Sequence, residues 1–388
     1  MKIDRRQFLG NSSILASAGA LGLTAGRLAD AAESRTAEAA SPATGEMAPH
    51  KYRLVATEEA FATPEQVESF RHMAATEWSD PDVVMWRAFL NNKPLLGRLL
   101  DLEHERLSIM DQAGVDMHVL SLTSPGVQML SADAGTALAE SANDQLAEVI
   151  KRHPTRFAGL ASFAPQDPNR AAKEIERAMG QLKLNGLIVN SHTNGEYLDD
   201  PKFYPIFEAA TSQNAAIYIH PRNLPQHADD ILQGTLSLDG AIWGFQAETG
   251  LHAMRLIVAG VFDRYPSLKI VLGHMGEAVP YWLYRIDYMY NVFTSRRTNV
   301  KKIQRKPSQY VKDNFLITTS GVNFHPTLKY CHEVLGPENI MFAIDYPYQE
   351  SMEAAHFMQT APLPAADMEK MTHGNAERIF HIAPPAAS

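Results

Sequence analysis

From Tyr52 onward the chain repeats one pattern. A short run rich in apolar and β-branched residues is followed by a longer stretch whose apolar positions recur at helical spacing. The runs fall at 53–59, 117–122, 157–163, 186–191, 216–220, 269–274, 315–319 and 340–345, which predicts eight strands. Helical spacing covers 138–152, 169–182, 202–212, 246–265 and 327–335, with Pro154, Pro266 and Pro337 punctuating helix ends. Eight strands alternating with helices predict an α/β fold, a (β/α)8 TIM barrel. The stretches 60–115 and 221–245 are too long for simple βα loops and are expected as insertions over the C-terminal mouth of the barrel. A doubly wound open sheet is the rival fold. Its nucleotide-binding form needs a glycine-rich turn after the first strand, where this chain has Glu58-Glu59-Ala60-Phe61.

The chain has 388 residues, 45% of them apolar and 20% charged, which excludes a disordered, collagenous or disulfide-scaffold protein. Its net charge of −9 argues against nucleic acid as a partner, because phosphate binding needs a basic face. The single cysteine, Cys331, cannot form an internal disulfide. Near the N-terminus stand Arg5-Arg6, then Gln7-Phe8-Leu9, then a weakly apolar stretch from Ile14 to Ala25 and the small-x-small triplet Ala29-Asp30-Ala31. Residues 1–31 are therefore expected to be a twin-arginine signal peptide that sends the folded protein to the periplasm. An uncleaved anchoring helix is the alternative, although the apolar run is too short to span a bilayer. Residues 32–50 lack apolar periodicity and are expected to be a linker, leaving 51–388 as the barrel domain.

The chemistry-bearing residues cluster at the ends of the predicted strands: Glu58 and Glu59 on the first, His220 on the fifth, His274 on the sixth and Asp345 on the eighth. Each taken singly could be a solvated rim acid or a hydrogen-bonded core histidine. Aimed together into one mouth, they would be costly to desolvate without a divalent cation. His72, His104, His118, His192, His252, His325 and His356 form no comparable set and are expected to be surface or packing residues.

The motifs Thr57-Glu58-Glu59-Ala60-Phe61-Ala62, Ile219-His220-Pro221-Arg222, Leu272-Gly273-His274-Met275-Gly276-Glu277, Thr318-Thr319-Ser320-Gly321 and Ile344-Asp345-Tyr346-Pro347-Tyr348 occur in order along the chain. In these the chain resembles the metal-dependent aromatic acid decarboxylases of the amidohydrolase superfamily. It is most like the 5-carboxyvanillate type and less like the γ-resorcylate and 2,3-dihydroxybenzoate types.

The resemblance implies an amidohydrolase-type barrel holding one divalent metal ion, Mn²⁺ or Zn²⁺, on Glu58, His220 and Asp345. Asp345 would also be the catalytic acid that protonates the ring, with His274 as second catalytic residue and Glu277 as its possible orienting partner. Arg285 and Tyr348 would bind the carboxylate of a small aromatic acid substrate, unless Arg285 is an ion-pair partner of Asp287 or Glu277. Ala60 replaces a metal-binding histidine found in the wider superfamily. A second substrate-binding arginine of the carboxyvanillate enzymes falls at Asn91, with Arg87, Lys93 and Arg98 nearby as substitutes. The aromatic segments at 281–284 and 288–290 suggest a homodimer or homotetramer. The same metal site could instead activate water to hydrolyse or hydrate a lactone, ester or amide, and release of CO₂ rather than ring opening would distinguish the two.

Overall fold

A computed structural model describes residues 51–76, 80–225, 238–299 and 302–384. The predicted signal peptide and linker lie outside these residues. Eight parallel strands follow one another around a single sheet: β1 (Val55–Phe61), β2 (Met117–Leu122), β3 (Phe157–Ser162), β4 (Gly186–Val189), β5 (Ile217–Ile219), β6 (Ile270–Leu272), β7 (Phe315–Thr318) and β8 (Ile340–Met341). Each strand pairs with its sequence neighbour, and bonds from Thr57 N to Phe342 O and from Ala60 N to Tyr346 O bring the first strand to the last. The fold is the expected (β/α)8 barrel.

Strand residues that point inward, among them Val55, Val119, Leu160, Tyr218, Val271 and Leu316, fill the barrel, and Phe380 closes its base. Such a barrel is a packed core and not a pore, so chemistry is confined to its rim. Residues on the alternate positions, such as Leu120, Ile217 and Ile317, pack outward against the helices.

The insertion after β1 is helical. Helices Pro64–Ala75, Pro81–Asn91 and Lys93–Leu100 each carry proline in their first turn and begin at a residue whose side chain caps it, Thr63, Asp80 and Asn92 respectively. Their own small core is built on Trp86, which stacks on Phe70 at 4.4 Å and donates its indole N–H to Ser124 O. This anchors the insertion beside the C-terminal ends of the strands. The predicted helix 246–265 is two helices, Gly244–Val258 and Val261–Arg264, because Gly260 takes φ +77° between them.

Candidate metal and acid site

Glu58 stands on β1 where the pairing with β2 shifts register between Ala56 and Glu59. The other site residues lie just past strand ends, His220 one residue beyond β5, His274 two beyond β6 and Asp345 four beyond β8. One donor atom from each of Glu58, His220 and Asp345 lies within 4.8 Å of the other two.

Glu58 is buried, and its two oxygens have different surroundings. Oε2 accepts hydrogen bonds from Tyr218, Thr318 and Ser320, which hold the carboxylate in one orientation. Oε1 has no hydrogen-bond partner. It faces His220 Nε2 at 3.5 Å and His274 Nε2 at 3.8 Å. An orphaned buried carboxylate oxygen is expensive, and a cation would satisfy it. The ring of His220 is prepared for the same role: its Nδ1 donates to Pro221 O at 2.8 Å, which leaves the Nε2 lone pair directed toward the cluster. The residues therefore fit a divalent ion. One imidazole with two carboxylates suits Mn²⁺ as well as Zn²⁺.

His274 is aimed by an unusual backbone. Residues 274–278 all take positive φ, between +47° and +78°, although only Gly276 among them is a glycine. Each non-glycine residue held this way costs roughly 1–2 kcal/mol, and such strain collects at functional sites. The turn folds Glu277 back so that its carboxylate lies 2.8 Å from His274 Nδ1. The sequence-based pairing of these two residues is therefore present. Burial opposes a charged ring, yet the carboxylates of Glu277 and Glu58 and the contact with Asp345 hold the His274 pKa well above that of ordinary imidazole. Burial also opposes charge on Glu58, but the two neighbouring imidazoles outweigh it and lower its pKa. On Asp345 burial prevails over the neighbouring imidazoles, and the pKa is raised.

Asp345 Oδ2 faces His274 Nε2 at 3.7 Å. The Asp345 carbonyl accepts from Tyr348 N and Gln349 N, which turns the chain so that Tyr348 joins the lining of the same cavity as His220 and Asp345. The Tyr348 hydroxyl pairs with Thr123 Oγ1 at 2.6 Å. A cavity of about 480 Å³ opens above this floor. Met85 and Phe89 from the insertion, with Phe245 opposite, give it apolar walls, and His220, His274, Asp345 and Tyr348 line the reactive side.

Arg285 is not brought to this cavity by its own chain. It is exposed on the helix Val279–Ser295, and among the described residues it makes no ion pair. The structural alternatives are also accounted for otherwise, since Asp287 accepts from Ser308 and Glu277 serves His274. Asn91 is exposed and bonds to Arg87 O, Arg87 donates to Ala74 O and Thr76 O, and Arg98 pairs with Glu105. No lysine or arginine among the described residues lines the cavity.

Sequence reasoning did not single out Tyr218, Thr318 and Ser320 as the groups that orient Glu58. Their hydroxyls are spread over β5, β7 and the turn after it, and only the barrel brings them together. Of the histidines expected to be surface or packing residues, three are buried: His118, His192 and His252.

The amidohydrolase family profile matches residues 95–382. Over 338 residues the chain is 36% identical to a γ-resorcylate decarboxylase of Polaromonas sp., covering 84% of this chain and 98% of that one. A crystal structure of 5-carboxyvanillate decarboxylase from Sphingomonas paucimobilis superposes with a TM-score of 0.83 at 50% identity, covering 85% and 99% of the two chains. That of the Novosphingobium aromaticivorans 5-carboxyvanillate decarboxylase, complexed with manganese and 4-hydroxy-3-methoxy-5-nitrobenzoic acid, superposes at 0.82 with 41% identity and covers 85% and 96%. With its barrel, its Glu-His-Asp cluster and a match across most of its length, the chain belongs to the amidohydrolase family.

Proposed function

We propose that this protein is a carboxy-lyase that removes CO₂, without redox change, from a hydroxylated aromatic carboxylic acid, using one divalent metal ion. The observation that carries this reading is the meeting of Glu58, His220 and Asp345 donors within 4.8 Å of one another, with His220, Asp345 and His274 together lining one apolar-walled cavity. The relatives named for decarboxylating γ-resorcylate and 5-carboxyvanillate, one of them holding manganese, support it.

A divalent cation would be held by Glu58, His220 and Asp345 and would supply Lewis acidity toward an oxygen-rich aromatic acid. The cavity walls then fix the plane of the ring between Met85, Phe89 and Phe245. Asp345 gives its proton to the ring carbon that bears the carboxylate. The carbon–carbon bond to the carboxylate breaks, its electron pair returns to the ring, and CO₂ leaves with aromaticity restored. His274, charged and steered by Glu277, stands beside Asp345 to hold the departing carboxylate or to return the proton. Tyr348 presents its hydroxyl to the substrate from the rim. Manganese is the metal we assign first, with zinc as the alternative.

Arg285 joins the substrate carboxylate only across a contact between copies. It lies among Tyr281, Trp282, Tyr284 and Tyr288, an exposed aromatic face fit to be covered in a homodimer or homotetramer. Residues 1–31 act as a twin-arginine signal, and the working protein is periplasmic; periplasmic accumulation that survives changing Arg5 and Arg6 together to lysine overturns this assignment.

The test of the activity is CO₂ release from a panel of ortho-hydroxybenzoates by the Mn²⁺-loaded protein, beside ring opening of lactones. Release from at least one hydroxybenzoate, abolished by chelation, is expected. Lactone hydrolysis with no CO₂ from any acid overturns the assignment.

A further inference from the structure

Glu59 follows the metal-ligand candidate Glu58, but strand alternation turns it away from the cavity. It is wholly buried, and neither of its oxygens meets a lysine, arginine or histidine within ion-pair distance among the described residues. Instead Oε1 accepts the backbone N–H of Ile344 and Oε2 that of Tyr346, both at 3.0 Å. These are the two amides that flank Asp345. Asp345 itself takes φ +78°, a conformation that an L-residue keeps only when its surroundings impose it.

The position in the barrel gives this bracket its use. β8 ends at Met341, so the chain from 342 to 346 passes β1 without a regular ladder. Main-chain bonds tie Thr57 to Phe342 and Ala60 to Tyr346 on either side of the gap. Within the gap, a side chain takes the place of the acceptors that a neighbouring strand would offer. Arg106 secures the bracket from behind, donating to Ala60 O at 2.7 Å and stacking over the Tyr346 ring.

We infer that Glu59 is a positioning residue for Asp345: its carboxylate, by holding both flanking amides, keeps Asp345 in the left-handed conformation that points its side chain at the metal position and at His274. The inference rests on the assignment of Asp345 to the metal site, and its test is read on metal affinity, so that it stands or falls separately from decarboxylation. In Glu59→Gln the amide group turns a donor toward one of the two N–H groups, and the bracket cannot hold both.

The experiment is a double-mutant cycle on Mn²⁺ affinity, with Glu59→Gln made in the parent and in an Asp345→Asn background, alongside melting temperatures. A residue needed only to close the barrel lowers the melting temperature and changes Mn²⁺ affinity by the same factor in both backgrounds. A positioning residue weakens Mn²⁺ binding tenfold or more in the parent and threefold or less once Asp345 no longer carries its charge. It also lowers kcat on a turned-over hydroxybenzoate while KM changes less than threefold. Any smaller loss of affinity in the parent, or a larger one in the Asp345→Asn background, overturns the inference. If the Gln variant does not fold, Glu59→Asp, which keeps the carboxyl group and shortens the reach, is put through the same cycle, and failure of both to fold overturns it as well.

Discussion

A side-chain carbon on Gly273 would lie 2.8 Å from both carboxylate oxygens of Glu58. Its φ of −70° is open to any residue, so glycine is required here by the space that the Glu58 carboxylate occupies and not by backbone conformation. Gly273→Ala should push Glu58 out of line with His220 and lower Mn²⁺ affinity at least tenfold, with a folded barrel by circular dichroism. Unchanged Mn²⁺ binding in isothermal titration would show that Glu58 does not hold the ion from this position.

The helix Val279–Ser295 exposes Tyr284 at 83% and Tyr281 at 68% of their surface, together with Arg285 and Trp282. So many large aromatics left in water on one helix predict self-association. Light scattering at micromolar concentration should give a dimer or tetramer, and the pair Trp282→Glu with Tyr284→Glu should give a monomer. Arg285→Ala should raise KM for the aromatic acid severalfold without dissociating the parent assembly. A monomeric parent protein contradicts this.

His252 is fully buried, with Nδ1 beside Ser191 Oγ and Nε2 accepting the Leu198 N–H. Burial, followed by the nearby His192 and Arg255, depresses its pKa to about 3. An unfolded histidine titrates near 6.5, so between these values the unfolded chain binds a proton that the folded one refuses. The stability this residue contributes is present above about pH 6.5 and is lost as pH falls toward 3, by at most about 1.4 kcal/mol per pH unit. Urea midpoints of the parent and of His252→Gln, which cannot titrate, should differ by an amount that widens from pH 4.5 to 6.5 and is flat above. A difference independent of pH would mean that the ring takes up its proton at the same pH in the folded and unfolded chains, so that burial does not depress its pKa.

Much of this arrangement was legible in the sequence. Seven of the eight strands lie within the apolar runs and the first runs two residues past its own, to Phe61, because a parallel barrel strand is buried on both faces and needs several apolar residues in succession. The insertion helices are not among those that helical spacing predicts: Pro64, Pro81 and Pro94 lie in their first turns, but nothing in the spacing shows that Trp86 docks on the carbonyl of Ser124. The extent of the strands misled at their C-terminal ends, since His220, His274 and Asp345 stand beyond the last paired residues, in turns set by backbone conformation. The positive φ values of His274, Met275, Glu277 and Ala278 have no sequence signal besides the neighbouring Gly276. Its place beside Glu58 at a strand end predicts that Glu59 is a second acid of the mouth. It faces the seam instead, as the period of two along a strand requires.

The proposed route would ask two things of Asp345, a donor oxygen for the metal and a proton for the ring, whereas it would ask of His220 a donor alone. Replacing His220 by Ala should lower activity through metal loss, and excess Mn²⁺ should restore part of it. The decisive measurement is single-turnover CO₂ release by Asp345→Asn at a metal occupancy confirmed by elemental analysis. Asparagine keeps the size and one donor oxygen but has no acidic proton, so the rate should fall by orders of magnitude, on the order of 10²-fold or more, and excess Mn²⁺ should not restore it. Near-normal turnover in the fully loaded variant would contradict the assignment, reduce Asp345 to a ligand and pass the proton to His274.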